Sequence, residues 1–359
     1  MRAAIFVGQD QDLSVEDVKA IEPGPKDVVV RVDASGVCHS DLSIIDGKLP
    51  VPPPMILGHE GAGTVEWIGS EVGRVKPGDR VILSLTPVCG SCWHCLRNET
   101  HLCEMGSTVT GVPRVHRHDG STCGGLSGLG TFADVMTVHE ASCVPVQTDL
   151  PAEQLALIGC GITTGVGAAL NTAEVRAGDT VAVIGLGGVG QSVLQGARIA
   201  GASQIIAIDP VALKREAAAH FGATDTIDPT DGDPVEQVLA RTGGRGVDHA
   251  FEVVGSGDLA QQALGMTRRG GTTILVGVPH YTTTLAVPIM PLIITDRTIK
   301  GSYYGSARAL RDFPRFIQLI ETGRLDLDTM VSRRMKLDEV NDAFRAMQAG
   351  EVLRSVLVA

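Results

Sequence analysis

The sequence predicts an α/β protein, a doubly wound parallel sheet accompanied by a second, β-rich domain. Two patterns carry this prediction. Between residues 180 and 302, six short β-branched runs alternate with helical patterns, the order that a parallel sheet with helical crossovers requires. Before Leu150 the chain instead alternates in strand fashion around turns, as in AAIF, DVVVRVDAS and TFADVMTVH.

The sharpest element of the sheet is its opening unit. Thr180 to Ile184 (TVAVI) reads as a buried parallel strand. Gly185-Leu186-Gly187-Gly188-Val189-Gly190 follows at once, then a helical pattern to about Ala200 and a second strand from Gln204 to Asp209. Glycines at the first, third and sixth positions suit a tight turn, close approach to a pyrophosphate, and close packing of helix on strand. The helix start offers unpaired N–H groups to phosphates. Alone, such a turn is weak evidence. Between two strands, with an acid 19 residues after Gly190, it points to a dinucleotide. Asp209 can accept hydrogen bonds from ribose hydroxyls and would repel a 2′-phosphate, which favours NAD over NADP. Lys214 either adds a ribose contact or is an ordinary solvated lysine.

Further strands are expected at 224–227, 247–254, 271–276 and 298–302, with helices at 211–221, 234–241 and 259–266. Gly255 and the stretch 276–279, with Val278, follow strand ends, where such sheets bind ligands. Two more helices (312–322, 338–348) and a strand from Arg354 close the chain. They add no βα repeat and are expected to rejoin the first domain. The expected division is 1–161, 162–302 and 303–359.

Two groups of residues in the β-rich part suggest metals. Cys38, His59 and Cys160 are soft or borderline ligands flanked by glycine or small polar residues. A lone cysteine or histidine is more often a core residue, but three protein ligands plus an open position is what a catalytic zinc needs. Asp41 and Glu60 could support that site, one by fixing the tautomer of His59, the other by approaching the metal from behind. Either could also be a surface charge or a turn cap. Cys89, Cys92 and Cys95, with Cys103 after seven intervening residues, suggest a closed four-thiolate zinc that staples a loop. An iron–sulfur cluster is the rival, although Glu104 stands where bacterial ferredoxin runs carry proline. Residues 104–131 read as a surface loop, and Cys123 and Cys143 as free thiols.

Composition sets the frame. The 359 residues suffice for two domains, and a 43% hydrophobic, 20% charged make-up fits a soluble globular enzyme. A net charge of −11 disfavours nucleic acid or an anionic membrane surface as partner. No apolar run is expected to span a membrane, and the N-terminal stretch does not read as a signal peptide. Eight cysteines without secretion signals suggest metal ligands in a reducing compartment, with the cytoplasm as default.

Taken together, GHEGAGTVEWIG, the four-cysteine loop, GCGITTGVGAALNTA, GLGGVG and VLRSVLV resemble, in order and spacing, the zinc-dependent medium-chain alcohol dehydrogenases, with the class III alcohol dehydrogenase/formaldehyde dehydrogenase branch nearest. The resemblance implies a GroES-like catalytic domain enclosing a Rossmann domain, and NAD plus two zinc ions per chain. By position it implies Cys38, His59 and Cys160 as catalytic zinc ligands and Glu60 as the metal-adjacent glutamate. It also implies Cys89, Cys92, Cys95 and Cys103 around a structural zinc. Ser40 matches the residue that takes the alcohol proton. His39 and Arg354 match residues near the cofactor pyrophosphate, and Thr164 and Val278 fall at other cofactor positions. The implied reaction is reversible hydride transfer between a primary alcohol and NAD. The same scaffold could instead oxidise the formaldehyde adduct of glutathione or mycothiol. A homodimer or homotetramer is implied, formed through the apolar segment 285–294. Ser43 departs from the relay histidine of the liver-type enzymes, and the segment from Cys103 to Phe132 is shorter than theirs. A zinc-less NADPH-linked reductase, a nucleic-acid-binding zinc module and a non-catalytic relative are the weaker readings.

Overall fold

The computed structural model describes residues 1–359. The chain forms two compact units, Met1–Gly161 with Arg308–Ala359, and Ile162–Ala307.

The discontinuous unit contains two sheets. One runs in the order Cys143–Val146, Arg80–Leu83, Glu60–Ile68, Asp27–Gly36, Arg354–Val358, Val331–Met335, and Val135–His139 also pairs with Asp27–Gly36. Alternating valines of the long strand Asp27–Gly36 fill a core with Val65, Val81, Leu83, Met136 and Val138. Register decides what meets at the end of this strand. Gly36 pairs with Glu60 on one neighbour and with Val356 on the other, both antiparallel. The residues just after Gly36, just before Glu60 and at the start of the Arg354 strand therefore converge on one sheet end.

The second sheet corrects the sequence reading of 104–131. Far from a surface loop, this segment supplies Val115–His116 and Thr122–Gly125 to a six-stranded sheet with Arg2–Phe6, Ser14–Asp17, Lys19–Ala20 and Met55–Ile56. Val115 and Cys123 are buried against Ala3, Ile5 and Ile56. Strands of two to four residues are too short to show alternation, which is why composition alone suggested a loop.

The other unit is a six-stranded parallel sheet. Numbered in chain order its strands lie 3-2-1-4-5-6, from Asp225–Ile227 at one edge, through Gln204–Ile208, Thr180–Ile184, Val247–Glu252 and Thr267–Leu275, to Thr298–Gly301 at the other. This is the doubly wound order with its switch between Thr180–Ile184 and Val247–Glu252. The unit extends past 302 to Ala307. Gly305 packs so tightly that a Cβ there would lie 2.4 Å from the Thr163 carbonyl oxygen, and Thr172 Oγ1 bonds Ser302 and Ser306 at 2.9 and 2.8 Å.

Ala152–Thr172 is one continuous helical stretch of 21 residues, long and apolar enough to span a bilayer by length and composition, contrary to the expectation of no such run. Within its most apolar window 83% of residues are buried in the protein. A helix apolar on every side is what a core position demands. The stretch contains two π-helical turns, Ile158–Ile162 and Ala168–Thr172.

Candidate active site

The converging sheet end carries the first residue group. Cys38 follows the strand Asp27–Gly36 and precedes the short helix His39–Ile45, His59 precedes Glu60–Ile68, and Cys160 lies in the π turn of the long helix. One ligand atom from each of Cys38, His59, Glu60 and Cys160 lies within 4.8 Å of every other, and all four residues are buried. Asp41, fully buried, accepts the Gly58 N–H at 3.0 Å through Oδ1, which also stands 3.2 Å from His59 Nδ1. With Asp41 ionised, His59 donates from Nδ1, and Nε2 is left to bind a metal.

Glu60 is held from two sides. Oε1 accepts the Gly161 N–H at 3.2 Å, and Oε2 pairs with the buried Arg354 guanidinium. Two glycines make room for this pair: a Cβ on Gly36 would sit 2.1 Å from Glu60 Oε2, and one on Gly161 would sit 2.5 Å from Arg354 Nη1. Sequence reasoning passed over both. The resemblance implies that Arg354 lies near a cofactor pyrophosphate, and in this structure its guanidinium pairs with Glu60.

The electrostatics favour positive charge among the sulfurs. The neighbouring Cys160 thiol, helped by His59, holds the Cys38 thiol well below its usual pKa despite burial. Burial opposes a charged imidazole, yet Asp41 and Cys38 together hold the His59 pKa well above its usual value. Burial pushes Glu60 up to about 7 against the pull of Arg354. Two thiols, an imidazole fixed by a carboxylate, and a nearby glutamate suit a zinc ion. Ser40 is half-buried, its Oγ 3.8 Å from Cys38 Sγ, and His39 is exposed.

The second group is Cys89, Cys92, Cys95 and Cys103, again mutually within 4.8 Å. Cys89 Sγ stands 3.9 Å from Cys95 Sγ, and Cys92 Sγ 3.9 Å from Cys103 Sγ. Disulfides would need about 2 Å, whereas the edge of a tetrahedron with Zn–S bonds of about 2.3 Å is roughly 3.8 Å. Backbone N–H groups of Ser91 and Cys92 point at Cys89 Sγ and lower its pKa to about 6. Cys123 and Cys143 are buried, and burial pushes their thiols up to about 11 and about 12, which leaves them unreactive.

In the parallel-sheet unit, Gly187 caps the helix Gly188–Ala200, and nothing lies within 4 Å of where its Cβ would be. The turn is open to close approach at that point. At Gly190 a Cβ would sit 1.9 Å from the Gly185 carbonyl oxygen, so only glycine lets the helix close on the turn. Asp209 is buried and accepts the Leu186 N–H at 2.8 Å and the Val211 N–H at 2.9 Å. Val189, Thr164 and Lys214 are partly exposed, and Val278 is exposed beside Gly255, where a Cβ would meet the Val278 carbonyl oxygen at 2.4 Å. Glu252, unnoticed in the sequence, ends the neighbouring strand and gathers the N–H groups of Val254, Gly255 and Ser256 on Oε1.

A doubly wound sheet with a glycine turn, together with a β-rich unit carrying two thiol-rich groups that could hold metal ions, defines a zinc-type nucleotide-dependent dehydrogenase. Comparison with known proteins agrees. Residues 24–148 match the alcohol dehydrogenase GroES-like domain and residues 188–322 the zinc-binding dehydrogenase family. The NDMA-dependent alcohol dehydrogenase of Amycolatopsis methanolica is 37% identical, over 99% of this chain and 98% of its own. The S-(hydroxymethyl)glutathione dehydrogenase of Photobacterium damsela subsp. piscicida is 38% identical over 99% of both. Benzyl alcohol dehydrogenase from Acinetobacter calcoaceticus superposes with a TM-score of 0.93 at 32% identity, over 100% of this chain and 99% of its own. A zinc-binding dehydrogenase-like structure from Sinorhizobium meliloti 1021, bound to NADP, gives 0.80 at 29%, over 100% and 99%. The chain belongs to the zinc-type alcohol dehydrogenase family and is an oxidoreductase acting on small molecules.

Proposed function

We propose that the protein interconverts a primary alcohol and its aldehyde, with NAD as hydride carrier. The carrying observation is the buried convergence of Cys38, His59 and Cys160, backed by Asp41. A zinc ion held by these three side chains would supply the Lewis acidity that lowers the pKa of an alcohol hydroxyl. The chain's own groups set the rest. Two thiolates balance a doubly charged cation, so a neutral aldehyde is free to leave. Asp41 keeps the His59 ring in one tautomer and orientation. Ser40, beside Cys38, would take the alcohol proton. The open backbone at Gly187 would hold the pyrophosphate and Asp209 the adenosine ribose. A carboxylate held by two N–H groups at that position supports NAD, although one solved relative binds NADP.

The test is NADH formation across a panel of alcohols, with zinc content measured per chain. Turnover with free alcohols supports the reading, and zinc-loaded protein that turns over none of them sinks it. A second reading keeps the chemistry and changes the substrate to a thiol adduct of formaldehyde. The observation favouring it is the full-length relative named S-(hydroxymethyl)glutathione dehydrogenase. Turnover of formaldehyde only with added glutathione or mycothiol would select that reading.

A further inference from the structure

Gln191 is the fourth residue of the helix that follows the glycine turn, and it is wholly buried. Its carboxamide joins two separate elements. Nε2 donates to the Leu186 carbonyl at 3.2 Å and to the Lys214 carbonyl at 2.9 Å. Leu186 belongs to the glycine turn, and Lys214 to the first turn of the helix Ala212–Phe221 that follows Asp209. The opposite side of Leu186 is held as well, because its N–H donates to Asp209 Oδ2. Asp209, Leu186, Gln191 and Lys214 thus form a closed strut between the turn and the segment after the second strand.

Gln191 Oε1 is buried without a partner. An apolar side chain of the same size would fill the space without that desolvation cost, so the carboxamide is there for its donors. If they are removed, the Leu186 carbonyl loses its anchor to the helix, and the turn that presents the Leu186 N–H to Asp209 is held less firmly. The Lys214 segment loses its tie to the turn at the same time.

We propose that Gln191 is a positioning residue that fixes the Asp209 carboxylate for a ribose with a free 2′-hydroxyl and thereby sets discrimination against a 2′-phosphate. The inference rests on the NAD reading above. Gln191 is wholly buried and acts through Leu186 and Asp209.

Gln191→Met keeps the volume and removes both donors. Gln191→Leu is a second variant, and Gln195→Met, at another buried glutamine on the same helix, is the control. Kd for NADH and for NADPH are measured by fluorescence titration, and KM and kcat for NAD by turnover. Loss of the bond to the Leu186 carbonyl, the one that bears on the turn, predicts that Kd for NADH and KM for NAD rise about 5-fold. The NADPH affinity and kcat should hold, so the NADH:NADPH preference falls by the same factor, while Gln195→Met retains it. A wild type that prefers NADH, with both Gln191 variants keeping that preference, overturns the role of Gln191 alone, whatever happens to Tm. A wild type without NADH preference overturns the NAD reading and this proposal together.

Discussion

Glu60 and Arg354, separated by 294 positions, form a buried ion pair at the end of one sheet, the arginine 5% exposed and the glutamate not at all. Removing one partner would strand a charge in the interior. Arg354→Met should therefore lower stability by about 3 kcal/mol. Pairing it with Glu60→Gln should restore part of the loss, because the neutral side chain no longer needs a cation. Thermal melts of the two single variants and the double variant measure the coupling. Simple additivity would mean that the pair contributes little.

Asp41 reaches the Cys38 group through His59, its Oδ1 3.2 Å from His59 Nδ1. Asp41→Ala removes the carboxylate that fixes the imidazole and leaves Cys38, His59 and Cys160 in place. Zinc affinity at this group should fall about 10- to 100-fold. Competition with a chromogenic chelator reads this directly, and the four-cysteine group provides an internal reference in the same sample. Equal loss from both groups would show that Asp41 serves general stability instead.

The four-cysteine group should be separable from the chemistry. Cys95→Ser should reduce bound zinc from two ions to one, given the two groups present, and lower Tm. Activity per folded chain should persist at a temperature where the variant remains folded. Loss of the Cys38-group zinc along with the first would couple the two sites.

How far these features could be read in advance depended on their range. The glycine turn with its flanking strands and Asp209, and the four clustered cysteines, are local, and their spacing and immediate context carry their chemistry. The parallel strands were legible as β-branched runs, although Thr267–Leu275 begins four residues before the expected 271, where Thr267 and two arginines break the apolar signal. Contacts between distant residues left no local trace. Nothing near Arg354 announces Glu60, and nothing near Gln191 announces Lys214. The glycines at 36 and 161 likewise show their purpose only once the Glu60–Arg354 pair is seen between them.

Asp248 gives a pH dependence remote from either metal-binding group. Burial alone would raise its pKa, but hydrogen bonds from Thr180 and Arg268 outweigh this and hold it below the ordinary 3.8. A depressed native pKa means stability that is fully present above 3.8 and lost as pH falls through the lower native value. Asp248→Asn should therefore lower Tm at pH 6, and the gap to wild type should narrow as pH drops below 4. A constant gap across that range would show that the contribution is packing and not charge.

The helix Ile289–Thr295 turns Ile289, Met290, Ile293 and Ile294 outward, each at least 60% exposed. The neighbouring strand Thr298–Gly301 is an edge, paired on one side only with Thr267–Leu275. An apolar patch beside an open sheet edge invites association. A second copy of the chain would cover both features at once, which is the basis for proposing a homodimer or a tetramer built from such pairs. Met290→Lys with Ile293→Lys should shift the light-scattering mass to that of one chain, with far-UV circular dichroism unchanged. A monomeric wild type would remove the proposal. An oligomer indifferent to both lysines would move the interface elsewhere on the molecule.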